Sequence, residues 1–185
     1  LNLKPSNVKS STINLPGSKS ISNRVLLISA LGNGEIKIKN LLFSDDTKVM
    51  LSSLIELGVK IEQNETLKQC TIIGCNNSFP NKSCDLYIGN AGTAIRPLTA
   101  SLAFNNGKYR INGTSRMHER PIGDLVASLN NIGAKIEYAK ISGFPPLIIH
   151  PSKMIKQKID IGGEVSSQFL TSLLIASPIF SKNKE

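Results

Sequence analysis

The sequence predicts an α/β (α+β) fold built from a repeated unit of strands and helices. Two segments, 15–62 and 87–137, show the same order of strand, glycine loop, helix, glycine turn, strand, polar loop, helix ending in glycine, and strand. The nonapeptides LIELGVKIE and LNNIGAKIE place Gly58 opposite Gly133, and Gly34 falls opposite Gly107 at nearly the same offset. Self-similarity at an offset of this length indicates a repeated α/β subdomain rather than a short solenoid repeat.

The first copy carries a signal for each of its elements. The stretch VLLISAL after Arg24 has the apolar spacing of a buried helix, and EIKIKN alternates as a half-buried strand does. Gly58 stands where a glycine ends a helix and reverses the chain. The first copy therefore predicts a helix, a strand, a second helix and a further strand in that order.

The second copy repeats these signals. LTASLAF predicts a helix, and KYRING alternates like a strand. Pro121 suits the first turn of the next helix, and Gly133 suits its end. The second copy therefore predicts the same succession of elements as the first.

A third copy begins after Ile149 and is incomplete. The stretch KIDIGGEVSSQFLTSLLIASPIF predicts a strand, a glycine loop and a helix before the chain ends at SKNKE. Its apolar part is short and interrupted by Ser, Thr and Pro, so it predicts a buried helix rather than a membrane span. Because the second half of this unit is missing, we expect uncovered apolar surface and a chain that is a fragment.

The three copies define the predicted domain organisation. An opening segment, 1–14, precedes an incomplete first lobe, 15–185. Within that lobe we predict a first unit at about 15–80, a second at about 81–150 and the start of a third at about 151–185.

The composition is basic, with a formal net charge of +9. An acidic partner such as a phosphometabolite, a nucleic acid or an anionic lipid would explain this charge, and so would AT-biased coding rich in lysine. The three cysteines form no C-x-x-C pair and the two histidines lie far apart. This pattern is typical of thiols in a reducing cytoplasm and predicts no metal site. The first residues resemble neither a signal peptide nor a transit peptide.

The glycine loops of all three copies lead into helices that begin with small hydroxyl residues. These stretches read GSKSISNR, GNAGTAIR and GGEVSSQF. A helix N-terminus offers free N–H groups and about half a positive charge. Hydroxyls there could cap the helices or bind anion oxygens, namely at Ser20, Thr93, Ser166 and Ser167. If the units pack around a pseudo-three-fold axis, the three helix starts form one composite anion site.

Charged side chains accompany these helix starts. Lys19 and Arg24 are either surface charges or ligands of an anion, and Arg96 is either structural or part of the site. In RMHER, Arg116 and Arg120 are either a charged loop face or a clamp on a carboxylate or phosphate. The loops match neither the P-loop spacing nor the dinucleotide-binding fingerprint.

Five motifs together resemble the N-terminal part of the 3-phosphoshikimate 1-carboxyvinyltransferase (EPSP synthase) family. They are, in order, LPGSKSISNR, SDD, GNAGTAIRPL, RMHERPIGDL and GGEVSSQFLTSLL, and the resemblance covers essentially the whole chain. It implies a two-lobed, inside-out α/β barrel with three βαβαββ units in each lobe. In this family the opening strand, here around Lys4 to Ser11, packs with the second lobe.

The resemblance implies a transferase of aromatic amino-acid (chorismate) biosynthesis. The family moves the enolpyruvyl group of phosphoenolpyruvate to the 5-hydroxyl of shikimate 3-phosphate and releases phosphate through a tetrahedral intermediate, without metal or organic cofactor. Glyphosate occupies the phosphoenolpyruvate site. We expect a cytoplasmic protein that is monomeric when full length and binds neither nucleic acid nor membrane.

The family's roles fall on matching positions of this sequence. Lys19 is the expected catalytic residue, lying between the two substrates and taking part in proton transfer. The expected ligands of shikimate 3-phosphate are Lys19, Ser20, Arg24, Ser166, Ser167 and Gln168. The expected ligands of phosphoenolpyruvate are Lys19, Asn90, Gly92, Thr93, Arg116 and Gln168.

The acid and base of the family's reaction are absent from this chain. The main carboxylates of the family belong to the second lobe, so we expect the chain alone to be inactive. Asp45 and Asp46 suit a helix start better than catalysis.

Two alternatives remain at this point. The sister carboxyvinyltransferase acting on UDP-N-acetylglucosamine shares the fold, but its signature loop carries a reactive cysteine and no glycine loop here does. A basic RNA-binding or RNA-end-processing protein of similar repeats would explain the charge and predicts binding that weakens steeply with salt. Against it, no aromatic residues cluster with the basic motifs to form a stacking platform.

Overall fold

The structure is a computed structural model, and it describes residues 10, 12–156, 158–161 and 166–182. A three-stranded sheet and two helices come first along the chain: α1 (Lys19–Leu31), β1 (Asn33–Lys39), α2 (Asp45–Glu56), β2 (Lys60–Asn64) and β3 (Gln69–Cys75). A four-stranded sheet with two helices follows: β4 (Ser83–Tyr87), α3 (Gly92–Leu102), β5 (Lys108–Asn112), α4 (Gly123–Asn131), β6 (Lys135–Tyr138) and β7 (Leu147–His150). A short 3₁₀ turn, Met117–Glu119, precedes α4, and α5 (Ser167–Lys182) ends the described chain.

The two sheets have the same strand order. The first runs β1-β3-β2 and the second runs β4-β5-β7-β6, so β5, β7 and β6 correspond to β1, β3 and β2. These shared pairings are antiparallel, whereas β4 is parallel to β5. By the offset of the repeat, β4 corresponds to the residues just before the LPG turn, and the described residues 12–18 form no strand there. The opening strand predicted around Lys4 to Ser11 lies outside the described residues, apart from Ser10, which is not in a strand.

The correspondence extends to single hydrogen bonds at the ends of α2 and α4. Gly58 has φ +87° and donates to Ile55 O, while Val59 N–H reaches back to Leu54 O. Gly133 has φ +113° and donates to Asn130 O, and Ala134 N–H donates to Leu129 O, which are the corresponding two bonds at the end of α4. Both ends are therefore Schellman caps, in which glycine adopts the left-handed conformation that side chains disfavour. The predicted helix-ending roles of both glycines are confirmed.

α1 begins at Lys19, with Ser18 as its N-cap, so small hydroxyl residues stand at the start of this helix as predicted. Two other sequence predictions need local correction. Pro121 lies two residues before α4, outside its first turn. No strand forms over the described residues 158–161, because a strand needs a partner for its ladder and no described strand pairs with this stretch. The glycine loop at 162–165 lies outside the described residues.

The helices and sheets enclose a continuous apolar core. Leu26 on α1, Leu54 on α2 and Leu98 on α3 are fully buried. The helix predicted at the end of the chain is confirmed as α5, and it packs on α3 with Phe180 edge-on to Phe104 at 5.4 Å between ring centroids.

Part of α5 remains uncovered. Leu170 is 52% exposed and Leu174 is 63% exposed, one turn apart on the same helix face. The expected uncovered apolar surface is therefore present. Among the described helices none is long and apolar enough to cross a membrane.

Asn105, just after α3, joins the two halves of the described chain. It is 3% exposed, and its Oδ1 accepts from Phe79 N–H at 2.9 Å and from Lys82 Nζ at 2.8 Å. Its Nδ2 donates to Asn77 O at 3.1 Å. One amide thus satisfies backbone groups of the loop that links β3 to β4.

We expect Asn105→Leu to destabilise the fold by about 2 to 3 kcal/mol, because a buried donor or acceptor left unsatisfied costs about that much. For a chain of this size the loss corresponds to a fall in Tm of roughly 5 to 10 °C, measurable by circular dichroism. Lys82→Met is the comparison: it removes an ammonium group that donates to Asn105 Oδ1, Asn105 O and Ser78 Oγ, and it leaves the two bonds from the Asn105 side chain to the backbone of the loop. Equal melting temperatures for the two variants would contradict this role.

Candidate functional site

A cavity of about 450 Å³ opens where the starts of four helices meet. Residues from the first turns of α1, α2, α3 and α5 line it together with the loop before α3. The lining residues are Lys19, Asp45, Asp46, Val49, Gly89, Asn90, Ala91, Gly92, Thr93, Arg120 and Gln168. The predicted convergence of the helix starts is confirmed, and five predicted ligands lie together on this wall.

A chain of polar contacts fixes Lys19 in the cavity. Its Nζ lies 3.2 Å from Asp46 Oδ2, with the two side chains 49% and 23% exposed. The same Asp46 oxygen accepts from Thr93 Oγ1 at 3.3 Å. Thr93 Oγ1 in turn accepts from Asn23 Nδ2 at 2.7 Å. The Thr93 hydroxyl proton is already used, and the N–H groups of Gly92, Ala94 and Ile95 donate to backbone oxygens at the start of α3. The helix dipole is therefore the main contribution of α3 to an anion here.

Asp46 has two roles. Ser44 caps α2 and its N–H donates to Thr47 Oγ1 at 2.7 Å, so Asp46 lies in the first turn, where a carboxylate stabilises the helix. This agrees with the helix-start interpretation of SDD. The contact with Lys19 additionally places the carboxylate in the cavity, which the sequence alone did not indicate.

Gly92 is in close contact with Arg120. A Cβ at Gly92 would lie 2.4 Å from Arg120 Nη1. Glycine at this position therefore lets a guanidinium lie against the start of α3, beside the N–H groups of that helix. Positive charge from the side chain and from the helix dipole is concentrated on the same wall.

Arg96 lies beneath this wall, one turn along α3, and is only 9% exposed. Its Nη1 donates to Gly92 O at 3.1 Å and to Gln168 Oε1 at 2.9 Å, and its Nη2 donates to Pro121 O at 3.2 Å. Burial lowers the pKa of Arg96, and the nearby charge of Arg120 lowers it further. The guanidinium thus connects α3, the segment before α4 and the start of α5.

A second, smaller cavity of about 30 Å³ adjoins the same helices. It is lined by Ser20, Arg24, Thr93, Pro97, Gln168 and Thr171. Ser20 and Arg24 therefore lie near Gln168 but do not line the larger cavity. Thr93 and Gln168 belong to both walls.

Three predicted ligands lie outside both cavity walls. Ser166 Oγ accepts from Gln168 N–H at 3.2 Å and so caps α5, and Ser167 is the exposed first residue of that helix. Arg116 has a 73% exposed side chain that forms an ion pair with Glu119. Arg120, rather than Arg116, lines the cavity. The two residues flank the 3₁₀ turn Met117–Glu119, which directs their side chains to different sides.

A larger groove of about 550 Å³ lies elsewhere, on the four-stranded sheet. It borders no helix start, and its wall mixes Asp85 with Lys108 and Arg110. No helix N-terminus adds its N–H groups or dipole to this groove, whereas four helix starts border the 450 Å³ cavity. The 450 Å³ cavity is the better candidate for a functional site.

Three contributors to the site were missed or left undecided by the sequence. RMHER offered two arginines four residues apart, and spacing could not decide which one faces the cavity. SDD predicted a helix start but gave no sign of the contact with Lys19. The burial of Arg96 had no signal apart from an arginine in an apolar helical stretch.

The arrangement can hold anions side by side. Lys19 and Arg120 supply positive charge, and the start of α3 adds the positive end of its helix dipole. A single carboxylate, Asp46, faces the ammonium group of Lys19 and could exchange a proton or yield its place to an anion. No sulfur or imidazole group lines the described walls of this cavity.

Comparisons with known proteins agree on one family. The sequence model of EPSP synthase (3-phosphoshikimate 1-carboxyvinyltransferase) matches residues 3–185. The 3-phosphoshikimate 1-carboxyvinyltransferases of Paraburkholderia phymatum and Burkholderia multivorans are 55% and 54% identical over 180 residues. That match covers 97% of this chain and 41% of each relative, so the chain spans about two fifths of their length.

Solved structures give the same result for the fold. EPSP synthase from Acinetobacter baumannii superposes with a TM-score of 0.77 at 26% identity, covering 89% of this chain and 37% of that one. The predicted α/β fold class is thereby confirmed. On both the family match and the shared fold, the chain belongs to the EPSP synthase family.

Proposed function

We propose that the polypeptide containing this chain transfers the enolpyruvyl group of phosphoenolpyruvate to the 5-hydroxyl of shikimate 3-phosphate, releasing phosphate. The observation that carries this proposal is the 450 Å³ cavity, in which Lys19 and Arg120 face the start of α3. The two substrates are both highly charged anions, and holding them in contact costs Coulomb repulsion. Fixed cations and oriented N–H groups offset that cost.

Within this proposal Lys19 is the catalytic residue of the chain and lies between the substrates. Asn90, Gly92, Thr93 and Gln168 share its cavity and form the phosphoenolpyruvate side. Arg120 supplies the guanidinium for that side, in place of the exposed Arg116.

Ser20 and Arg24 form the shikimate 3-phosphate side. They border the smaller cavity, which shares Gln168 with the larger one. Ser166 and Ser167 would have to turn towards this side when the ligand binds, since neither hydroxyl lines a cavity here.

We also propose the domain organisation stated above, with units at about 15–80, 81–150 and 151–185, and with the opening segment 1–14 packing on a second lobe. The repeated strand order and the paired Schellman caps support the first two units. Exposed Leu170 and Leu174 support a third unit that continues beyond α5. The complete protein would be a cytoplasmic monomer.

The alternatives account for less. A UDP-N-acetylglucosamine enzyme would need its reactive cysteine, and Cys70, Cys75 and Cys84 all lie outside the cavity wall. The buried Cys70 thiol has its pKa raised to about 11 by burial, the opposite of activation. An RNA-binding protein would need exposed aromatic rings beside the cations, and the described walls contain none.

A chimeric protein tests the proposal. Residues 1–185 are joined to the remaining part of the Paraburkholderia phymatum relative, and phosphate release is followed with both substrates. This protein is called the completed enzyme below. We expect turnover that requires phosphoenolpyruvate and shikimate 3-phosphate together, and none from the 185-residue chain alone.

Three outcomes would overturn the proposal. One is a folded completed enzyme that releases no phosphate. Another is equal or better use of UDP-N-acetylglucosamine as the acceptor. The third is binding of a short RNA by the chain, measured by filter retention, that weakens steeply between low and high salt.

A further inference from the structure

Arg96 is a buried cation that the proposed chemistry leaves without a function. Each acceptor of its hydrogen bonds is a neutral oxygen: Gly92 O, Pro121 O and Gln168 Oε1. None of the ion pairs among the described residues includes it. Its Nε is buried without a hydrogen-bond partner in the described part of the chain. A buried charge held only by neutral groups is costly and calls for a reason.

The contact with Gln168 has a directional consequence. A guanidinium has N–H donors and no acceptor, so only the oxygen end of an amide can face it. At 2.9 Å, Arg96 Nη1 therefore determines which way the Gln168 amide points. The Nε2 end, with two N–H donors, is the end left for a ligand in the two cavities that Gln168 lines.

Packing around Arg96 restricts the movement of its guanidinium and so stabilises this orientation of the Gln168 amide. The guanidinium carbon lies 5.5 Å from the centroid of the Phe169 ring, the residue after Gln168, and Phe169 is 1% exposed. The same guanidinium holds the backbone at Gly92 and Pro121, on either side of the cavity wall. Arg96 thus fixes the start of α5 relative to the start of α3.

We propose that Arg96 is a positioning residue: it holds the Gln168 amide so that its NH₂ group donates into the site, and it binds no substrate itself. This inference rests on the proposed function for the presence of an anionic ligand in the cavity. A Gln168 amide held by Arg96 presents its NH₂ donors to both cavities. The loss of Arg96 should therefore weaken the binding of phosphoenolpyruvate and of shikimate 3-phosphate.

Two measurements test the inference separately. The first uses nuclear magnetic resonance on the 185-residue chain and needs no substrate. The Gln168 side-chain amide, assigned by its disappearance in Gln168→Met, should lose order in Arg96→Met and keep part of it in Arg96→Lys, because lysine retains one donor. An unchanged amide in Arg96→Met would overturn the orientation argument.

The second measurement is a double-mutant cycle in the completed enzyme. We expect Arg96→Met to lower kcat/KM by about tenfold or more when Gln168 is present, and by less than about threefold when it is already methionine. We expect Arg96→Lys to recover part of the loss. Thr99→Val is the control for disturbance of α3, since Thr99 is buried one turn further on and its hydroxyl donates only to Ile95 O.

The possible outcomes separate the two claims. An equal loss from Arg96→Met on both backgrounds would mean a purely structural role and would overturn this inference while leaving the proposed function intact. A parent enzyme without turnover would overturn the proposed function, and the amide measurement would still decide how Gln168 is oriented.

Discussion

Lys19→Met should abolish turnover of the completed enzyme, lowering kcat by about 10³-fold, the range for loss of a proton-transfer group that also stabilises charge. The ammonium group lies at the start of α1, 3.2 Å from Asp46, facing the first turn of α3. Methionine keeps most of the length of the side chain and removes the charge and the three donors. Steady-state phosphate release measures the effect.

A matched control is available in the same chain. Lys48 pairs with Glu65 at 3.1 Å, and the two side chains are 54% and 55% exposed. It resembles Lys19 in distance and exposure but lies away from the cavity wall, so Lys48→Met should keep parental activity. Retention of activity within about tenfold in Lys19→Met would contradict the assignment of Lys19 as the catalytic residue.

Gly92→Ala should raise the KM for phosphoenolpyruvate about tenfold or more and weaken inhibition by glyphosate, because a charge-assisted contact is lost. The added methyl group would lie 2.4 Å from Arg120 Nη1. The end of a long side chain can move away, so the fold should survive while the guanidinium leaves its place in the cavity. The KM for shikimate 3-phosphate should change little.

Gly123→Ala is the corresponding control, since Gly123 is the first residue of α4 as Gly92 is of α3. The nearest atom to a Cβ at Gly123 is Gly143 Cα at 3.3 Å, and no cavity residue is displaced. Unchanged KM and unchanged glyphosate inhibition in Gly92→Ala would contradict the placement of the phosphoenolpyruvate side at this helix start.

Much of the fold could be predicted because its determinants are local. Gly58 and Gly133 predict helix ends because the left-handed backbone conformation of such an end depends only on neighbouring residues. The prediction of a strand at 158–161 was wrong for the opposite reason: its apolar alternation is adequate, but a strand also needs a partner. A glycine that ends a helix can therefore be predicted from the local sequence, whereas the pairing of a strand with a distant partner cannot.

The site divides in the same way. The glycine and hydroxyl residues at the helix starts are recognisable in sequence, and Lys19, Gly92 and Thr93, singled out from these motifs, line the cavity. The choice between Arg116 and Arg120 depends on the path of one 3₁₀ turn. The contact of Asp46 with Lys19 depends on how α2 packs beside α1. Neither follows from spacing, because both are set by tertiary packing.

The strand order of the first sheet has a consequence for association. Within the described residues β1 pairs on one side only, with β3, and none of the described strands pairs with its other side. Such an edge invites pairing with another copy and, in time, aggregation. Glu35, Lys37 and Lys39 are exposed along β1. In an antiparallel pair centred on Lys37, the two Lys37 side chains would repel each other while Glu35 of each copy would face Lys39 of the other. The charges along β1 therefore give this edge little protection, and salt weakens the attraction and the repulsion alike.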